Sequence, residues 1–119
     1  MNKNSLNKII LIGRLGSDPE GRYTQQGRSV VSFSLATNES WTKAGNEVEH
    51  TEWHSIIAWD KLADFSKEFL YKGQLVSIEG SVRTRTWDDK KYPVKRKATD
   101  VLCTQIVPLE WKRDLGKSD

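Results

Sequence analysis

Most of the chain alternates apolar and polar residues with a period of two, the pattern of strands that bury one face. Lys8 to Leu15 departs from it: the apolar run is continuous, and burial on both faces is expected. Gly16-Ser-Asp-Pro-Glu-Gly21 then places glycine and proline where a turn needs them. Arg22 to Gln25 reads as a short strand closed by Gly27. Ser29 to Asn38 alternates, with Val31, Phe33, Leu35 and Thr37 on one face and Ser32, Ser34 and Ala36 on the other. From Trp41 a polar excursion turns near Ala44-Gly45-Asn46 and returns through Val48 to Thr51, as a hairpin or a long loop. Thr51 to Trp59 is again a strand, with Trp53, Ser55, Ile57 and Trp59 opposite Glu52, His54, Ile56 and Ala58.

The one helical pattern follows. Asp60 is placed to cap it, Leu62, Phe65, Phe69 and Leu70 form an apolar stripe, and Gly73 suits a left-handed stop. Gln74 to Trp87 returns to strict alternation. Val76, Ile78, Gly80 and Val82 are expected toward the core, with Ser77, Glu79, Ser81, Arg83, Arg85 and Trp87 on the outer face. A charged tip, Asp88-Asp-Lys-Lys91, leads to Tyr92–Lys97 and a last strand, Thr99 to Leu109. That strand sets Val101, Cys103 and Val107 opposite Leu102, Thr104 and Ile106. Many short strands, with one helix between the third and fourth, predict an all-β chain with one short helix. The pattern is that of a five-stranded OB barrel carrying protruding hairpins, a common binder of oligonucleotides. Residues 1–110 form this domain, and 111–119 a short polar tail in which Trp111 has a place to dock.

Composition narrows the picture. With 119 residues, 29% of them charged and a net charge of +3, one globular domain with a mild preference for anions is expected. The single cysteine, Cys103, excludes an internal disulfide and a multi-cysteine zinc site, and it reads as a small core residue. The apolar run Ile9 to Ile12 is too short for a signal peptide or a membrane span, so a reducing, cytoplasmic setting is expected. His50 and His54 have the spacing of zinc ligands on a helix. On a strand that spacing spans roughly 13 Å, and no metal site or other cofactor is expected. No nucleophile is signalled beside Glu49 and Glu52, and Gly13 to Gly16 lacks the features of a phosphate loop. These absences argue against an enzyme.

Tryptophans and cations carry the stronger lead. The chain has five tryptophans, and Trp41, Trp53, Trp59 and Trp87 are interleaved with Arg83, Arg85, Lys43, Lys61 and Lys72. Flat indoles for bases and cations for phosphates are the ingredients of a surface for single-stranded nucleic acid. Arg14 is grouped with the candidate phosphate contacts. Any one of these tryptophans alone is more often a core residue, and any one arginine an ordinary surface charge.

Several stretches, in order and with fitting spacing, resemble the bacterial-type single-stranded DNA-binding protein family. They are Asn7 to Glu20, Phe33-Ser-Leu-Ala-Thr-Asn-Glu-Ser-Trp41, Thr51-Glu-Trp-His54, Lys61-Leu-Ala63, Tyr71-Lys-Gly73, Ile78-Glu-Gly80 and Arg83-Thr-Arg-Thr-Trp87. The resemblance covers residues 6 to 109. It implies an OB barrel that assembles as a homotetramer and wraps single-stranded DNA during replication, recombination and repair, in the nucleoid or in an organelle or phage. By position, Trp41, Trp53 and Trp87 match stacking tryptophans, and Trp59 stands where the family has a stacking phenylalanine. Lys61, Lys72, Arg83 and Arg85 match basic positions along the DNA path. His54 matches an interface histidine, and Lys8 to Gly13, with Ile10 and Ile12, the first strand that pairs between subunits.

Two departures stand out. Thr86 replaces a basic residue often found before the last stacking tryptophan. Bacterial members end in a glycine- and proline-rich linker with an acidic, phenylalanine-terminated tip, which Leu115-Gly-Lys-Ser-Asp119 does not resemble. Recruitment of replication and repair partners through such a tip is therefore not expected. The same surface also admits an OB module for RNA or for a replication-restart complex.

Overall fold

The computed structural model describes residues 3–111. Its elements in chain order are β1 (Ile9–Leu15), β2 (Glu20–Tyr23), β3 (Ser29–Lys43), β4 (Asn46–Trp59), α1 (Lys61–Phe69), β5 (Leu75–Asp88) and β6 (Lys95–Pro108). Hydrogen bonding runs β1-β5-β6-β4-β3, and β1 pairs again with β3 at Arg14↔Ala36 and Leu15↔Leu35, closing the sheet into a barrel. Closure falls beside Gly13, where a Cβ would run into the carbonyl of Ala36. β2 adds to the outer edge of β3. Only β4 and β6 pair in parallel, and α1 with β5 forms the crossover that such a pair requires.

Inward residues of every barrel strand meet in one core, including Leu15, Phe33, Leu35, Ile56, Ile78 and Val101. Leu35, Ile56 and Ile78 are fully buried, each contributing about 1.5–3 kcal/mol relative to exposure. The helix closes one end of the barrel with Ala63, Ser66 and Leu70.

Several expectations are corrected here. β1 buries one face only: Ile10 and Ile12 remain 61% and 59% exposed. The short second strand begins at Glu20 rather than Arg22, because its partner is Ser29–Ser32. Val82 is exposed because β1, whose pairing with β5 reaches only as far as Gly80, no longer flanks it. In β6, Ile106 is buried and Val107 exposed, the reverse of simple alternation. A bulge explains it: Glu79 pairs with Gln105 and Gly80 with Cys103, leaving Thr104 as the extra residue that inverts the parity. The strand starts at Lys95, so Lys95–Lys97 belong to it rather than to a preceding segment.

The polar excursion after Trp41 is a continuous β3–β4 hairpin with a two-residue turn. Ala44 and Gly45 both have positive φ, 52° and 82°, as the tightest hairpin turn demands. Asp60 does not cap α1 with its side chain; its carboxylate is paired with Arg28 instead. Gly73 does not stop the helix either. The helix ends where Leu70 becomes extended, and Gly73, at φ 88°, serves the tight turn from Tyr71 to Gln74. Trp111 docks edge-on against Phe65 and Phe69, with ring centroids at 6.5 and 5.8 Å, and the tail beyond it lies outside the described residues.

Candidate nucleic-acid interface

Strand pairing sets Ser34, Ser55, Asp100 and Arg83 in one row across β3, β4, β6 and β5. Every second residue along a strand shares that face. Trp53 and Trp59 of β4 therefore lie on the same outer surface as Arg83, Arg85 and Trp87 of β5. Trp41 pairs with Val48, at the opposite parity from the Ala36↔Trp53 pair, and so belongs to the reverse side of the β3–β4 ribbon. Trp41, Trp53 and Trp87 are 45%, 58% and 44% exposed, far more than a core role would leave, whereas Trp59 is only partly exposed.

Trp53 lies over Gly16, where any Cβ would overlap its ring, and beside Ser34. It walls an open depression of about 350 Å³ lined by Ser17, Glu20, Ser32, Phe33, Ser34, His54 and Ser55. The floor is hydroxyl-rich and the wall aromatic, a combination that takes a flat heterocycle and hydrogen-bonds its edge.

The candidate cations divide into two groups. Among the described residues Lys43, Lys61, Lys72 and Arg83 have no carboxylate partner, which leaves their charge available to an anion. Arg14 is paired with Glu110 at 3.0 Å and Arg85 with Asp100 at 2.6 Å, so both are already compensated. At the β5–β6 tip Asp88 holds Lys95 and Asp89 holds Arg96. Asp89 also accepts the backbone N–H groups of Lys91 and Tyr92, and the Arg96 bond, then these, hold its carboxyl below the usual range.

His54 Nε2 lies 3.0 Å from Thr37 Oγ1. His50 instead bonds Glu52 at 3.0 Å, which lowers that carboxyl's pKa. Among the described residues no three His, Cys, Asp or Glu side chains gather where a metal could sit. Nor is any helix of the described residues long and apolar enough to cross a membrane. Reading the strands by parity alone misses three residues: Arg28, Asp60 and Asp100. Arg28 stands at the mouth of β3 and gives no periodic signal. Asp60 has the look of a helix cap, and Asp100 is one polar residue in an alternating strand.

A closed barrel of this strand order, with one helix in the crossover and aromatic and basic side chains on its outer face, defines an oligonucleotide-binding (OB) protein. The single-strand binding protein family matches residues 6–109, and the chain belongs to it. Single-stranded DNA-binding protein 1 of Chlorobaculum tepidum is 53% identical over 112 residues, covering 93% of this chain and 69% of that protein. The single-stranded DNA-binding protein of Neisseria meningitidis serogroup A is 46% identical over 103 residues; the match spans 86% of this chain and 59% of the relative. Among solved structures, a Plasmodium falciparum SSB in complex with ssDNA superposes with a TM-score of 0.80 at 34% identity. That match covers 92% of this chain and all of the other.

Proposed function

We propose that the chain binds single-stranded DNA with little sequence preference, as a homotetramer, and shields it during replication, recombination and repair. The observation that carries this reading is the outer face shared by exposed Trp53 and Trp87 with Arg83, which has no carboxylate partner among the described residues, in a chain whose barrel matches that of an SSB–ssDNA complex. Bases stack on Trp53, Trp87, Trp59 and, from the reverse of the ribbon, Trp41. Phosphates are met by Lys43, Lys61, Lys72 and Arg83. Stacking tolerates any base because every base has a π-face. The chain acts as a binder and not as an enzyme, in the cytosol where single strands are exposed.

Self-association is supported by β1. Ile9 to Gly13 pair with β5 on one side, while β3 takes up only Arg14 and Leu15 on the other. An open strand edge beside exposed Ile10 and Ile12 invites a second copy.

The test is a titration followed by tryptophan fluorescence, comparing a long dT oligomer, its rU counterpart and a blunt duplex. Quenching and tight binding by dT are expected, with much weaker binding by the duplex. Equal affinity for the duplex contradicts the reading, and a preference for rU moves it to RNA.

A further inference from the structure

Two of the four candidate stacking tryptophans carry an arginine on the ring, and in each case a carboxylate holds that arginine. Arg28 Cζ lies 4.4 Å from the Trp59 ring centroid. Its Nε and Nη2 donate to Asp60 Oδ1 and Oδ2 at 3.2 and 2.8 Å. Arg85 Cζ lies 5.0 Å from the Trp87 centroid, and its Nε donates to Asp100 Oδ2 at 2.6 Å. Trp41 and Trp53 have no such cation among the described residues.

Strand geometry generates both arrangements. Arg85 and Trp87 are two apart on β5, so they share a face, and Asp100 stands diagonally across from Arg85 on β6. Val30 faces Trp59, and Arg28, two residues before Val30, reaches back over the indole. The Asp60 N–H donates to Ser29 O at 2.8 Å, which fixes Asp60 alongside Arg28.

The chemistry of the two carboxylates points the same way. Arg28 holds the Asp60 carboxyl below its ordinary range. The Asp100 side chain is only 7% exposed, and its Oδ1 is buried with no hydrogen bond among the described residues. A buried carboxylate stripped of its cation is costly, so Arg85 is retained where it stands. A phosphate would have to displace the carboxylate to use either guanidinium.

We propose that Asp60 and Asp100 are positioning residues that hold Arg28 and Arg85 flat on Trp59 and Trp87. Each trio is a charge-neutral stack whose remaining aromatic face takes a base, and neither arginine contacts phosphate. The proposal rests on the single-stranded DNA reading above. It divides the platforms into two bare indoles, Trp41 and Trp53, and two that are backed by a guanidinium and held rigid.

The test measures dT affinity against salt for the full chain. Arg28→Ala and Arg85→Ala are expected to lower affinity by about two- to fivefold, the loss of a cation–π contact, with the salt slope unchanged. Asp60→Asn frees Arg28 for phosphate and steepens the slope by roughly 0.7 per site. Because Asp60 is exposed, that variant keeps the fold and carries the test if Asp100→Asn does not fold. Flattening of the slope by Arg28→Ala and Arg85→Ala overturns the proposal. So does an Asp60→Asn slope equal to the parent's, or an Arg28→Ala affinity equal to it. Failure of the unaltered chain to bind dT is a different outcome, and removes the functional reading itself.

Discussion

Arg14 grips Glu110 with two hydrogen bonds, Nη1 to Oε1 at 3.0 Å and Nη2 to Oε2 at 3.3 Å. The same guanidinium donates to Gly73 O at 2.9 Å, so one side chain ties the end of β1 to the α1–β5 turn and to the segment after β6. A cation engaged in this way supports the barrel. Arg14→Ala should lower the thermal midpoint by a few degrees while leaving the salt slope of DNA binding intact. The Arg14 bond is also the main cause of a lowered Glu110 pKa. Its stabilisation is present above the ordinary 4.5 and is lost as pH falls through the depressed folded value. The variant's deficit should therefore shrink in acid toward the part owed to the Gly73 bond, as melting curves between neutral pH and about pH 3 would reveal.

Ile10 and Ile12 lie outside the core, so replacing both with glutamate should leave the barrel folded. A charge on the exposed edge of β1 opposes pairing with another copy. Sedimentation at micromolar concentration should show the double variant dissociated and the parent assembled, with matching circular dichroism. Retained assembly in the double variant places the interface elsewhere.

Cys103 is 5% exposed, and burial pushes its thiol from 9.0 up to about 11, while a weaker hydrogen bond with the Gln105 backbone pulls the other way. The folded state prefers the neutral thiol. The associated stability is intact below pH 9 and is lost as pH rises toward about 11. At full ionisation the loss is on the order of 2–3 kcal/mol. Urea midpoints of the parent should fall over this window by more than those of Cys103→Ala, which has no thiol to ionise.

The strands, the helix and the outer positions of Trp53, Arg83 and Trp87 were legible because period-two alternation reports which face is buried. It fails where a single residue breaks register. Thr104, bonded through its hydroxyl to Glu79 O at 3.1 Å, exchanges the places of Ile106 and Val107, and composition carries no sign of that. The apolar run of β1 signals total burial, yet the chain covers only one of its faces, and a run of apolar residues does not say what covers the other. The clamps on Arg14, Arg28 and Arg85 were hidden for another reason. Their partners lie 96, 32 and 15 residues away, and charge patterning along a chain reports only neighbours.

The claim that exposed tryptophans of the outer face are base platforms rests most directly on Trp53, the most exposed of them and, among the described residues, without an arginine over its ring. The decisive measurement is the affinity of Trp53→Ala for a long dT oligomer across a range of salt concentrations, with assembly and fold verified. A loss of about 1–3 kcal/mol per stacked base is expected, as a line parallel to that of the parent, because no cation has been removed. An intact tetramer that binds dT as tightly as the parent, or with a changed slope, contradicts the account.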